Sequence, residues 1–258
     1  MADHEDYLDL VLARLAEVRK REDNAIREAA RYCAEAIGGG GVVWVFGAGH
    51  SAMMALEAYP RMGGVLGFVP MVELSLLYFT NVVGSGGLEQ AIFLERAEGF
   101  AEAILRSNDP REGDVIIIYS SSGVEVLPKE LATGARARGL KVIGVTSLEY
   151  SRYASNLRNV GRTLADEVDL VIDNAVPPGD AVLTIDGVPA PVGPSSTMLS
   201  IAVMNSIAVD TAANLARAGI TPEVFSSPHF HSSTSASYGR ALRQFRRLLQ
   251  RPEATEAD

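Results

Sequence analysis

A chain of 258 residues with 47% hydrophobic and 21% charged residues has ample material for a core and lacks the bias of a disordered or fibrous protein. Its formal net charge of −9 argues against a nucleic-acid partner, because phosphate backbones are bound by clustered Lys and Arg. One cysteine, Cys33, excludes an internal disulfide framework and points to a reducing compartment. The start, MADHEDYLDL, is acidic and lacks the basic-then-apolar order of a signal peptide. No apolar run approaches the roughly 20 residues of a membrane span, so the expected location is cytoplasmic, with no membrane partner.

Residues 3–37 carry apolar side chains at helical spacing, with Leu8, Val11, Leu12, Leu15 and Val18 followed by Ile26, Ala29, Ala30, Cys33 and Ile37. GGGG (38–41) ends this helix or helix pair. VVWVFG (42–47) reads as a strand, and a helix is expected from Ser51 to Met62. GFVPMV (67–72) is a second strand, followed by a long amphipathic helix from Leu88 to Arg106. DVIIIY (114–119) is bounded by Asp114 and Ser120 and has the continuous apolar character of a strand buried on both faces. A helix then runs through Arg138. KVIGVTS (141–147) and DLVIDN (169–174) complete five strands. Residues 177–194 read as a loop with a small hairpin, Ser195 to Ala218 as a helix, and 234–250 as the last helix. Its Arg-rich stretch 240–251 is the one basic cluster and reads as a solvated or partner-facing face.

Strands alternating with helices predict an α/β fold with a parallel sheet covered on both faces. No internal repeat or low-complexity linker interrupts the chain. We therefore expect one domain over 1–258: an N-terminal helical segment (1–40), an α/β core (41–220) and a C-terminal loop and helix (221–258).

Three segments carry chemistry. In VFGAGHSAMMA (45–55), Gly47 and Gly49 allow a tight turn and close ligand approach, and the helix behind them offers unpaired N–H groups. With Ala52 the stretch also fits G-x-G-x-x-A, a dinucleotide fingerprint. That pattern wants an acidic residue about 20 positions on; Glu73 ends the second strand but stands late. In SSSG, Ser120, Ser121, Ser122 and Gly123 offer hydroxyl donors at the mouth of a helix, a way to hold a phosphate without cations. No G-x-S-x-G elbow is present, so these serines read as ligand donors, not nucleophiles. A single helix cap would need one hydroxyl, not three. In VGPSSTML, Ser195, Ser196 and Thr197 open a long helix, as a further anion site or as an N-cap.

A strand-GxGxS-helix unit followed by a strand-SxSG-helix unit resembles the SIS (sugar isomerase) domain family. The matching residues are Gly47, Gly49 and Ser51, then Ser120, Ser122 and Gly123. The phrases FGAGHS, LERAEGFA, VIGVTSLEYS, VDLVIDNAVPPGDA and VGPSST are similar to those of bacterial SIS proteins described as phosphoheptose isomerase-like. They span about residues 45 to 200. The resemblance implies a three-layer α/β/α sandwich with a five-stranded parallel sheet, a homodimer or homotetramer, and a phosphosugar held by the serine loop. It also implies a Glu or His that moves a proton between C1 and C2 through an enediol. Related SIS reactions are deamination and elimination, and SIS domains also serve as non-catalytic sugar-phosphate sensors. Two departures stand out. Val124 and Glu125 replace the polar or basic pair usual after Ser-Gly, and a carboxylate there would repel a bound dianion. FSSPHFHSSTS (225–235) replaces an Asn- and Gly-Asp-rich stretch.

The candidate bases are Glu73, Glu95, His229 and His231. Glu73 closes an apolar strand, where partial desolvation raises a carboxyl pKa. Glu95 and Glu98 could share a helix face. His229 and His231 flank Phe230 and point the same way in an extended segment. No third ligand stands beside them, so neither a metal nor a cofactor is expected. His50 sits inside the glycine turn, within reach of a ligand. Arg61 could supply a cation to that turn or pair with Glu57 four residues earlier.

Overall fold

The computed structural model describes residues 4–77, 86–226 and 234–250. Five strands form one parallel sheet in the order β2-β1-β3-β4-β5. They are β1 (Val43–Gly47), β2 (Phe68–Met71), β3 (Val115–Tyr119), β4 (Lys141–Thr146) and β5 (Leu170–Asp173). Every residue of β1, β2 and β3 is buried, which is why these strands read as apolar without alternation.

Alternate side chains nevertheless serve two different cores. Val43, Val45, Val115, Ile117, Ile143 and Val145 pack with Ala29, Ala30 and Cys33 of α1 (His4–Gly38) on one face. Trp44, Phe46, Ile116, Ile118 and Val142 pack on the opposite face. Their partners there belong to α4 (Phe100–Asn108) and α5 (Val126–Ala137). The result is a three-layer α/β/α sandwich.

The remaining helices are α2 (Ala52–Glu57), α3 (Gly87–Leu94), α6 (Leu148–Arg158), α7 (Ser196–Arg217) and α8 (Thr234–Leu249). An antiparallel hairpin, β6 (Ala181–Leu183) and β7 (Val192–Pro194), precedes α7. By length and composition α7 could cross a membrane. Its buried residues Val203, Met204 and Ile207 join the core beside α1. Near the chain's end Phe225 stacks edge-on against Tyr238 and Phe245 of α8.

The N-terminal segment, read as a helix or helix pair, is a single helix of 35 residues, α1. Two elements differ from the sequence reading. The helix expected from Leu88 to Arg106 is two, because Gly99 adopts φ +81 and breaks the chain between α3 and α4. The helix expected from Ser51 to Met62 is a 3-10 turn (Gly49–Ser51) followed by the short α2. In addition α6 follows β4, where no helix was expected.

Asp114 ties the entry edge of the sheet together. Its buried carboxylate accepts the Val42 N–H at 2.9 Å, the Trp44 Nε1–H at 3.1 Å and the Arg111 N–H at 3.0 Å. Asp114→Ala orphans all three donors and is expected to cost on the order of 3 kcal/mol. Urea unfolding followed by the single tryptophan, Trp44, reads this directly. A loss below about 0.5 kcal/mol would show that water replaces the carboxylate at no cost.

Candidate functional site

The strand order reverses at β1: its chain neighbour β2 lies on one side and β3 on the other. In open α/β sheets the loops leaving such a pair diverge and leave a crevice beyond the strand ends. Gly47 pairs with Tyr119 across β1 and β3, so the two loops after them stand side by side. A pocket of about 240 Å³ opens there. His50 and Ser51 line it from the first loop, Ser120, Ser121, Ser122 and Glu125 from the second.

Local geometry explains the glycines. A Cβ on Gly47 would stand 2.1 Å from the Ser51 carbonyl oxygen, so the turn closes only over a bare Cα. Gly123 sits at φ +63, and a Cβ there would stand 2.8 Å from Thr146 Oγ1. The serine loop is strapped to β4 from behind: Ser147 N–H donates to the Ser121 carbonyl at 3.0 Å, and Ser120 N–H to the Val145 carbonyl at 3.1 Å. Ser120 Oγ accepts the Gly123 N–H at 3.2 Å. The hydroxyls of Ser51, Ser121 and Ser122 have no hydrogen-bond partner among the described residues, and all three residues line the pocket. With the N-terminus of α5 behind them, they form a set of neutral donors suited to an oxyanion.

Glu95 lines the same pocket, at the end of α3. Its carbonyl accepts the Leu127 N–H of α5 at 3.0 Å, which pins the turn to the serine loop's helix. Glu98 falls in the break before α4 and is exposed, so the two carboxylates do not share a face. Glu125 is held by two arginines. Arg158 of α6 donates to both of its oxygens, the Nη2 contact at 3.3 Å, and Arg96 Nε donates at 3.3 Å. The repulsion expected between Glu125 and a bound dianion is thereby offset.

Three further polar residues line the pocket that the sequence did not single out: Tyr119, Tyr150 and Asp180. The Tyr119 phenol is fully buried, its hydroxyl lacks a partner among the described residues, and burial holds its pKa well above the ordinary tyrosine value. Asp180 explains the serines that open α7. Its Oδ1 accepts the Ser195 N–H at 2.9 Å and the Ser196 N–H at 2.7 Å, and its Oδ2 accepts the Ser196 hydroxyl at 2.7 Å. The helix N-terminus thus already holds an anion, from the protein itself. Ser195 is buried and bonded to Asp180, Ser196 reaches the pocket wall, and Thr197 lies outside it.

Arg61 stands away from this pocket, in an ion pair with Glu57, whose carboxylate also accepts from Asn205 at 3.2 Å. Glu73 follows β2 and is not among the pocket-lining residues. His229 and His231 lie outside the described residues. Among the described residues no cluster of three or more His, Cys, Asp or Glu could hold a metal ion.

The SIS domain family matches residues 6–147. The chain is 38% identical over 232 residues to a UPF0309 protein of Streptomyces coelicolor, covering 88% of this chain and 90% of that protein. It is 39% identical over 217 residues to a UPF0309 protein of Brucella canis, covering 84% and 86%. Among solved structures, a phosphoheptose isomerase from Francisella tularensis superposes with a TM-score of 0.52 at 17% identity, over 81% of this chain and 96% of that one. A phosphoheptose isomerase from Neisseria gonorrhoeae gives 0.50 at 19%, over 78% and 93%. At these identities the likeness to the solved structures is one of fold.

Burial lifts the Glu73 carboxyl above its ordinary range, so folding favours the protonated form. The group does no harm below its unfolded pKa and destabilises increasingly as pH rises through its folded one. Glu73→Gln is therefore expected to raise thermal stability at neutral pH, with the gain vanishing by about pH 4. Melting curves across pH test this; a gain independent of pH would exclude the carboxyl's titration as its source.

Proposed function

The chain belongs to the SIS domain family, and from that premise we propose that it binds a phosphosugar at the serine pocket and interconverts its aldose and ketose forms. The observation that carries the reading is the set of unpartnered hydroxyls of Ser51, Ser121 and Ser122 at the strand-reversal crevice. Neutral donors and a helix N-terminus hold a phosphate monoester without a bulk positive charge, in keeping with a chain of net charge −9. The pocket's volume of about 240 Å³ is of the order of a sugar phosphate and below the usual range for larger ligands such as a dinucleotide. The six-residue helix behind Gly47 and Gly49 further weakens a dinucleotide reading.

In this scheme the phosphate rests on the serine loop, and the sugar's reacting carbons point toward Glu95. A base removes the C2 proton, the electron pair forms the enediol C1–C2 double bond, and the carbonyl oxygen takes a proton. Return of a proton to C1, with loss of one from the C2 hydroxyl, completes the aldose-to-ketose change. Glu95 is our candidate for the base, and His50 for the group that polarises the carbonyl. Glu73, His229 and His231 remain candidates from the sequence alone. A cytoplasmic homodimer or homotetramer is part of the same proposal.

The test is a thermal-shift screen against hexose, heptose, amino-sugar and N-acetyl-sugar phosphates, with NAD as control. One phosphosugar is expected to stabilise the wild type by several degrees, and Ser122→Ala to lose most of that shift. Turnover of that sugar by the wild type but not by Glu95→Gln, with binding retained, would assign the base. Binding without turnover would make the protein a sugar-phosphate sensor, and stabilisation by NAD alone would overturn the reading.

A further inference from the structure

We infer that Arg96 and Arg158 prepare the pocket for an anion by cancelling the charge of Glu125, not by touching the ligand. The inference rests on the phosphosugar reading and explains how this chain tolerates a carboxylate in an anion pocket. Three observations carry it. Glu125 lines the pocket, whereas neither arginine does. The Glu125 side chain is 17% exposed, while those of Arg96 and Arg158 are 54% and 36% exposed, so both guanidinium groups approach from the solvent side. Both oxygens of Glu125 are occupied by these contacts, Oε1 by Arg158 and Oε2 by Arg158 and Arg96.

The three groups together carry a charge of +1, so a dianion on the serine loop meets a weakly attractive cluster in place of a bare carboxylate. Arg158 is the last residue of α6, where the helix dipole favours a cation. Arg96 comes from the turn between α3 and α4, so the cluster draws on three separate elements. Both arginines are therefore positioning residues, and their effect should fall on phosphorylated ligands while sparing the unphosphorylated parent sugar.

The test uses the full chain with inorganic phosphate as probe, which carries the charge without the sugar. Calorimetric titration compares the wild type, Arg96→Ala/Arg158→Ala, the same pair combined with Glu125→Gln, and Arg96→Lys/Arg158→Lys. The alanine pair is expected to weaken phosphate binding at least about tenfold at low salt, the loss shrinking as ionic strength rises. Adding Glu125→Gln to the alanine pair should restore binding to within about threefold of wild type. The lysine pair keeps the charge and should stay in that same range, which guards against misfolding of the alanine variants.

If the triple variant binds as poorly as the alanine pair, the arginines hold the ligand themselves and the inference is overturned. An alanine pair that binds like wild type, or a wild type that does not bind phosphate, overturns it as well. If phosphate follows the expected pattern while no sugar phosphate binds, the inference stands and the phosphosugar reading falls.

Discussion

The register between β1 and β3 is the constraint on which the site depends. Pairing Val43 with Val115 at one end sets Gly47 opposite Tyr119 at the other. Only then do the glycine turn and the serine loop leave the sheet at the same height. A slip of one residue would turn the inward-facing Val45 and Ile117 to the wrong layer, so the two cores defend the register. The pocket is in this sense a by-product of core packing. Most of the apolar residues that fix its position never touch it; of the core residues in β1 and β3, Phe46 and Tyr119 reach its wall.

Carboxylates do much of the organising in this acidic chain, each by a different route. Asp114 gathers N–H donors at the entry edge of the sheet, where a carbonyl could not serve three at once. Asp180 occupies the N-terminus of α7 from a turn 15 residues upstream and binds the hairpin to the helix. Glu125 holds two arginines, one from the turn between α3 and α4 and one from α6. Each of these charges is met by several donors, the condition under which a buried or half-buried carboxylate is tolerated. The negative sum of the sequence therefore says little about the potential inside the pocket.

The sheet was legible because its strands are apolar on both faces and stand between glycine, serine and charged boundaries. The serine loop was legible because three hydroxyls in succession exceed what a cap requires. Less local features stayed hidden. Helix α6 (LEYSRYASNLR) buries only Ser151 and Ala154, so it offers almost no apolar periodicity; its one signal is Ser147, whose hydroxyl accepts the Tyr150 N–H. The break at Gly99 was hidden because Phe100, Ile104 and Leu105 continue the apolar pattern begun by Leu88 and Ala91. The partners of Glu125 lie 29 and 33 residues away along the chain, beyond the reach of any helical spacing rule. Asp180 was missed for the same reason: the cap of α7 comes from outside the helix's own sequence.

The pocket's wall runs from Phe46 to Ser196, across segments that follow β1, β2, β3, β4, β5 and β7. Parallel pairing requires a crossover before each new strand can dock, so contacts of this kind join residues far apart in sequence and form late in folding. No short stretch of the chain supplies the whole wall. On the proposed reading, a ligand that needs the whole wall meets it only once α7 has packed against α1. On that reading a phosphosugar would bind the completed sandwich and not its precursors.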